Sequence, residues 1–86
     1  MNNLIVNFHP FLVKQDILIY QDGACVKQDH VTIEEVVDKV HEYCVKYDIS
    51  VVNLCGNAEF VSRFSRNLHT RFENNNIEIQ ILSHNI

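Results

Sequence analysis

The chain has 86 residues, of which 47% are hydrophobic and 21% charged, and its formal net charge is -4. This length favours one folded domain, and the apolar content is high enough to exclude an intrinsically disordered chain. The negative net charge opposes nucleic-acid binding by the molecule as a whole.

The cysteine pattern indicates a reducing compartment, and the hydropathy predicts no membrane-spanning segment. Cys25, Cys44 and Cys55 form an odd, widely spaced set, which is untypical of a disulfide framework. The N-terminal stretch has no basic region before its short apolar run, so no signal peptide is predicted. No apolar run approaches the roughly 20 residues that a membrane span needs. We therefore expect a cytoplasmic protein.

The N-terminal part of the chain predicts three strands. Residues 4–8 are nearly all apolar and stop before Pro10, which predicts a central strand. Residues 16–21 and 24–28 flank Asp22-Gly23, a strong hairpin-turn signal because glycine accepts the positive φ that such a turn demands. The third strand is predicted to lie at an edge of the sheet.

A helix is predicted after the hairpin. Thr32 and Glu35 form a capping-box pattern, and one apolar stripe continues to residue 47. Residues 49–54 then predict a buried parallel strand. Among the aromatic side chains outside this core, we expect Phe11, Tyr20 and Tyr43 to be half-exposed.

The C-terminal part predicts a second helix and a last strand. Gly56 ends the preceding strand and Asn57 caps the helix. Its apolar stripe at helical spacing is Phe60, Phe64, Leu68 and Phe72. Residues 77–82 alternate as a strand with one packed face, and residues 83–86 are expected to be a loose tail.

This order predicts an α/β fold of type βββαβαβ. Strands that follow helical crossovers run parallel to a neighbour with right-handed connections, whereas the hairpin adds antiparallel strands. We therefore expect a five-stranded mixed sheet, with two helices mainly on one face. The chain is predicted to be a single domain over residues 1–86, with its core at about residues 3–82.

Two segments resemble the ribonuclease H-like fold, including the half-domains of the actin, Hsp70 and sugar-kinase superfamily. LIVNFHPFLVKQDILIYQDGACVKQ matches the first three strands of that fold, and ISVVNLCGNAEFVSRFSRNL is similar to its strand–glycine–helix turn. The resemblance is one of topology, spans almost the whole chain and implies a sheet of order 3-2-1-4-5. It implies a fold in which the nuclease branch holds two metal ions and the ATPase branch binds nucleotide.

This chain lacks the residues that the chemistry of that fold requires. The nuclease branch needs a carboxylate on the first strand, because carboxylates are the hard ligands that paired divalent metals require. Asn7 stands there, followed by His9 and Pro10. The ATPase branch needs a glycine-rich phosphate loop at this point, and bulky residues cannot bring backbone N–H groups around a phosphate. We expect no cofactor.

The turn at Cys55, Gly56 and Asn57 is the first candidate site. It joins the end of a parallel strand to a helix N-terminus, which suits an anion; an ordinary capped turn is the simpler explanation. His9 is expected beside it, where a Cys55–His9 pair would resemble a thiolate–imidazole nucleophile. Cysteine is often only a small buried hydrophobe, and no ligand spacing typical of structural zinc supports a metal site.

The second helix carries the other candidate site, a locally basic strip. Its members are Arg63, Arg66, His69 and Arg71. Such a strip can dock a phosphate backbone or an acidic partner. It can equally be a solvated face with cations placed favourably near a helix C-terminus.

Three functions follow from these features. The first is a non-enzymatic interaction module that works through protein–protein contacts, as a homodimer paired through an open strand edge. The second is a nucleic-acid-associated accessory protein that uses the basic helix. The third is a binder of a small anion or nucleotide at Gly56-Asn57. The small size and the composition rich in Asn and Ile would suit a phage or bacterial source.

Overall fold

A computed structural model describes residues 1–82 of the chain. Within this range the backbone forms five strands and two α-helices. A short 3₁₀ turn at Ile33–Glu35 leads into the first helix. The elements in chain order are β1 Asn2–Phe8, β2 Lys14–Gln21, β3 Ala24–Thr32, α1 Val36–Lys46, β4 Val51–Gly56, α2 Ala58–Phe72 and β5 Glu78–Ile81. The tail expected at 83–86 lies outside the described residues.

The strands form one mixed sheet in the order β3-β2-β1-β4-β5. β1 pairs antiparallel with β2 and parallel with β4, β2 pairs antiparallel with β3, and β4 pairs parallel with β5. The hairpin between β2 and β3 turns at Asp22 and Gly23, both of which have positive φ. The predicted fold class and strand order are confirmed.

Both helices cover the same face of the sheet. The alternate residues Leu4, Val6 and Phe8 of β1 are buried, whereas their neighbours on the opposite face stay partly exposed. α2 lies over β4 and β5, and α1 lies beside it towards β3. The core sits between this face and the helices, which is the arrangement predicted by the single apolar stripe of each helix.

β3 is longer than predicted and contains an irregularity. It continues to Thr32, and its register against β2 shifts between Ile19 and Tyr20. The helix predicted to open at Thr32 therefore begins as a 3₁₀ turn, with α1 starting at Val36. The predicted capping box is present there: Glu35 Oε1 accepts hydrogen bonds from the backbone N–H and the hydroxyl of Thr32.

β5 is shorter and less covered than the predicted strand 77–82. It forms one edge of the sheet, and α2 leaves its end open, so Ile81 is 51% exposed and Leu82 is 57% exposed. Within residues 1–82, neither helix is long and apolar enough to cross a membrane.

Candidate functional site

The turn after β4 is built on very close packing against β1. Gly56 pairs with Phe8 and has a φ of +100°. A Cβ atom there would lie 2.3 Å from the carbonyl oxygen of Phe8. Only glycine fits this position, because it tolerates the positive φ and lets the two backbones approach.

Asn57 completes this turn as the predicted N-cap of α2. Its backbone N–H donates to the carbonyl oxygen of Phe8 at 3.0 Å, and its side-chain oxygen accepts from the N–H of Phe60 at 3.1 Å. These contacts satisfy backbone groups at the helix start. The geometry of the turn therefore explains why Gly56 and Asn57 stand at these positions. This is the simpler of the two explanations, an ordinary capped turn and not an anion site.

His9 follows the last paired residue of β1 and lies at the same end of the sheet as Gly56. Its Nε2 lies 2.8 Å from Asp16 Oδ2. Within residues 1–82 no hydrogen bond joins His9 to Cys55. The structure therefore brings the two residues to the same end of the sheet and gives the imidazole a carboxylate partner instead of the thiol.

Asp16 is the centre of a cluster that the sequence did not predict. Its Oδ1 lies 2.6 Å from Nδ1 of His30, which is its cross-strand neighbour on β3, and its Oδ2 contacts His9. Burial of the Asp16 carboxylate opposes its ionisation, but the hydrogen bonds and charges of the two histidines outweigh that effect and lower its pKa. Asp16 thus holds two imidazoles on the uncovered face of the sheet.

The thiol of Cys55 is not activated. Burial raises its pKa, because desolvation disfavours the thiolate. A nucleophilic cysteine needs the opposite shift, which a nearby cation or helix dipole provides. Among the described residues, no group of three or more His, Cys, Asp or Glu side chains is arranged to hold a metal ion.

The four residues of the predicted basic strip do not share one surface. Arg71 donates to Asp38 of α1 at 3.1 Å. The guanidinium of Arg63 lies over the rings of Phe60 and Phe64, about 5 Å from each centroid. Arg66 and His69 lie on the exposed surface of α2.

Arg66 also lines a groove of about 510 Å³ between α2 and the end of β5. The rest of its wall is made of small or apolar side chains, namely Ala58, Val61, Ser62, Ser65 and Ile81. The groove exists because α2 is the last helix over the sheet and covers β5 only in part. Sequence reasoning missed it because it expected Ile81 to be packed.

The connection between β1 and β2 carries an exposed apolar tip, defined as Phe11, Leu12 and Val13. Phe11 is 96% exposed, and its two neighbours are also exposed. Gln15 beneath them is only 1% exposed. Its side-chain oxygen accepts from the N–H of His9 and its NH₂ donates to the carbonyl oxygen of Leu12. Hydrogen bonds of the buried Gln15 side chain to the start of the loop and to the tip itself thus fix the backbone of the tip in this position.

No family model matches this chain, and no curated protein does. Among solved structures, the chain is similar to Pelota from Archaeoglobus fulgidus, whose crystal structure is described as revealing inter-domain structural plasticity, with a TM-score of 0.64 and 8% sequence identity. The match covers 95% of this chain and 26% of that protein, so the chain spans about a quarter of the length of Pelota. At this identity the match shows a shared fold.

Proposed function

We propose that this chain is a non-enzymatic interaction module that works through protein–protein contacts and forms a homodimer. The observation that carries the proposal is the placement of its exposed apolar side chains. Of the eight exposed large hydrophobic side chains within residues 1–82, five lie at the tip Phe11–Leu12–Val13 and at the end of β5, which holds Ile81 and Leu82, whereas Met1, Val26 and Val45 lie elsewhere. Exposed apolar groups gathered at defined places are typical of interaction surfaces, whereas scattered ones are ordinary.

The tip supports this function because it is held in place before any partner binds. Gln15 bonds to the loop at His9 and Leu12, which reduces the conformational entropy that binding must remove. An aromatic side chain at the end of such a loop has the form of an interface anchor, since aromatic residues are enriched among the side chains that dominate binding energy.

We also propose that the fold is a half-domain of the ribonuclease H-like type. The strand order and the parallel pairing of β1 with β4 and of β4 with β5 support this classification. Asn7 and His9 then occupy the end of the first strand, where that fold would keep a carboxylate or a phosphate loop. This substitution supports a binding role in place of catalysis.

The cysteines support a cytoplasmic location for the module. Cys25, Cys44 and Cys55 are all free thiols, and Cys25 is exposed. Free, exposed thiols persist in a reducing compartment and are oxidised in secreted proteins.

Sedimentation velocity over a wide range of protein concentration tests the homodimer. We expect the weight-average mass to rise from that of one chain to that of two, because dimerisation follows mass action. A strict monomer at the highest concentration contradicts the homodimer.

Two further assays separate this function from its rivals. Fluorescence anisotropy with DNA and RNA at low salt is expected to show no binding, and binding there would favour the nucleic-acid accessory role, because low salt is the most permissive condition. A thermal-shift screen with nucleotides is expected to show no stabilisation. A rise in Tm would favour a ligand site at Gly56-Asn57.

A further inference from the structure

The geometry points to one surface for the homodimer: the free edge of β5 together with the groove-facing side of α2. This inference rests on the proposed function and names the interface that it requires. The occupant of the groove is α2 of a second copy, related by a two-fold axis.

Of the two edge strands that residues 1–82 form, β3 carries two devices that block pairing and β5 carries neither of them. β3 carries Lys27 and Asp29 at positions that pair with Ile19 and Ile17, so these charges lie on the covered face of the edge strand. A register irregularity also interrupts this hairpin between Ile19 and Tyr20. Inward charges and bulges are the devices by which natural sheets block edge pairing.

β5 has neither device in its four residues. The N–H of Glu78 donates to the carbonyl oxygen of Ser50, just before β4, and the N–H of Leu82 donates to that of Leu54 in β4. Because main-chain direction alternates along a strand, the N–H and C=O groups of Ile79 and Ile81 face away from the sheet. Two copies of β5 laid antiparallel would pair these groups reciprocally, and the two sheets would become one.

The groove is the space that such a pairing leaves above the sheet. Neighbouring strands lie about 4.8 Å apart, whereas packed helices lie about 8–10 Å apart. Small residues on α2, namely Ala58, Ser62 and Ser65, line the groove and allow a second α2 to approach. The exposed Ile81 beneath them would be covered by the second copy.

Charge complementarity beside the groove, which Arg66 lines and Glu59 does not, supports a second copy as the occupant. Glu59 and Arg66 are both exposed, and neither forms an ion pair within residues 1–82. Seven residues are about two helical turns, so both lie on one stripe of α2. In an antiparallel pair of identical helices, Glu59 of each copy meets Arg66 of the other. This surface is therefore complementary to itself, as a two-fold interface must be.

Charge reversal tests the pairing in the full chain. Glu59→Arg and Arg66→Glu each place like charges opposite one another twice, and we expect each to weaken the dimer about tenfold, because two exposed attractions are replaced by two repulsions. The double variant Glu59→Arg/Arg66→Glu restores opposite charges and is expected to return the dissociation constant to that of the unmodified chain. Sedimentation equilibrium measures all three.

Lys46→Glu is the matched control, since it makes the same change from a positive to a negative charge at an exposed residue of α1, away from β5 and the groove. We expect it to leave the dissociation constant unchanged. Ile81→Pro removes one N–H from the free edge without touching the bonds to β4 and is expected to weaken the dimer. Circular dichroism confirms that each variant is folded.

The outcomes separate this inference from the proposed function. If neither single reversal changes the dissociation constant of the dimer, this interface is wrong, but the homodimer itself is not contradicted. Single reversals that weaken the dimer without rescue in the double variant overturn the Glu59–Arg66 pairing. A monomeric unmodified chain overturns the homodimer itself, and the interface with it.

Discussion

Replacing Gly56 with alanine places a methyl group in a close contact between β4 and β1. A methyl group at this position would lie 2.3 Å from the carbonyl oxygen of Phe8 and 2.7 Å from its nitrogen. Both are main-chain atoms of β1, so no side-chain rotation can relieve the overlap. The strands β1 and β4 must move apart at this point.

The cost has three parts. An alanine in the left-handed region costs about 1–2 kcal/mol, and overpacking a close contact adds about 1–3 kcal/mol. Separation of the strands also weakens the hydrogen bond from Asn57 to Phe8, which contributes roughly 1 kcal/mol. The sum of about 3–6 kcal/mol is a large fraction of the roughly 4–13 kcal/mol that stabilises a chain of this length.

Gly23→Ala is the matched control for this variant. Gly23 also has a positive φ, of +86°, but no heavy atom lies within 4 Å of the added methyl group. Only the backbone cost of about 1–2 kcal/mol remains. Urea denaturation followed by circular dichroism at one protein concentration gives both free energies of unfolding. Equal losses in the two variants would refute the steric reasoning.

Two further predictions concern polar contacts. Tyr43 donates its hydroxyl to Asp29, so Tyr43→Phe should lower the free energy of unfolding by about 1.5–3 kcal/mol, the contribution of a hydrogen bond to a charged group; an unchanged urea midpoint would contradict this. Because the pKa of Asp16 is lowered in the folded chain, the stability it contributes is full above its unfolded pKa of about 3.9 and is lost as pH falls through the folded value. Asp16→Asn should flatten the stability profile in that acid window, and an identical profile would show that His9 and His30 do not favour the carboxylate.

Much of the fold was predictable because its signals are local. The apolar run of β1 predicts a strand buried in the centre of the sheet, and Asp22-Gly23 predicts the hairpin that follows. The crossovers through α1 and α2 then leave few places for β4 and β5, since such connections are right-handed. These constraints leave few strand orders, the observed one among them.

The Asp16 cluster was missed because its geometry depends on one irregular position. The hairpin turn pairs Gln21 with Ala24, and unbroken continuation of that register would place Asp16 opposite Asp29. The shift between Ile19 and Tyr20 places it opposite His30 instead. A one-residue slip exchanges the two faces of a strand. The repulsion between two opposed aspartates was the signal that could have revealed the shift.

The burial of Tyr43 could not be predicted from local sequence patterns either. It was expected to be half-exposed, but it is buried, because α1 lies beside β3 and Asp29 meets its hydroxyl there. Burial of the ring and the bond to Asp29 raise the pKa of the Tyr43 hydroxyl. This contact joins residues that are distant in sequence, so no pattern within the helix indicates it.

The bonding of the polar groups and the exposure of the apolar ones are the reasons why we propose binding in place of catalysis. At the carboxyl end of β1 and β4, Asn57 satisfies backbone groups of the turn and Asp16 is held by two imidazoles. Polar groups already bonded to one another gain little from a substrate, because a ligand must first replace those bonds. The exposed Phe11 and Ile81 remain in contact with water, and burial of such side chains is favourable by roughly 1.5–3 kcal/mol each. The free energy that would favour binding of a partner therefore comes from covering the apolar tip Phe11–Leu12–Val13 and the open edge of β5.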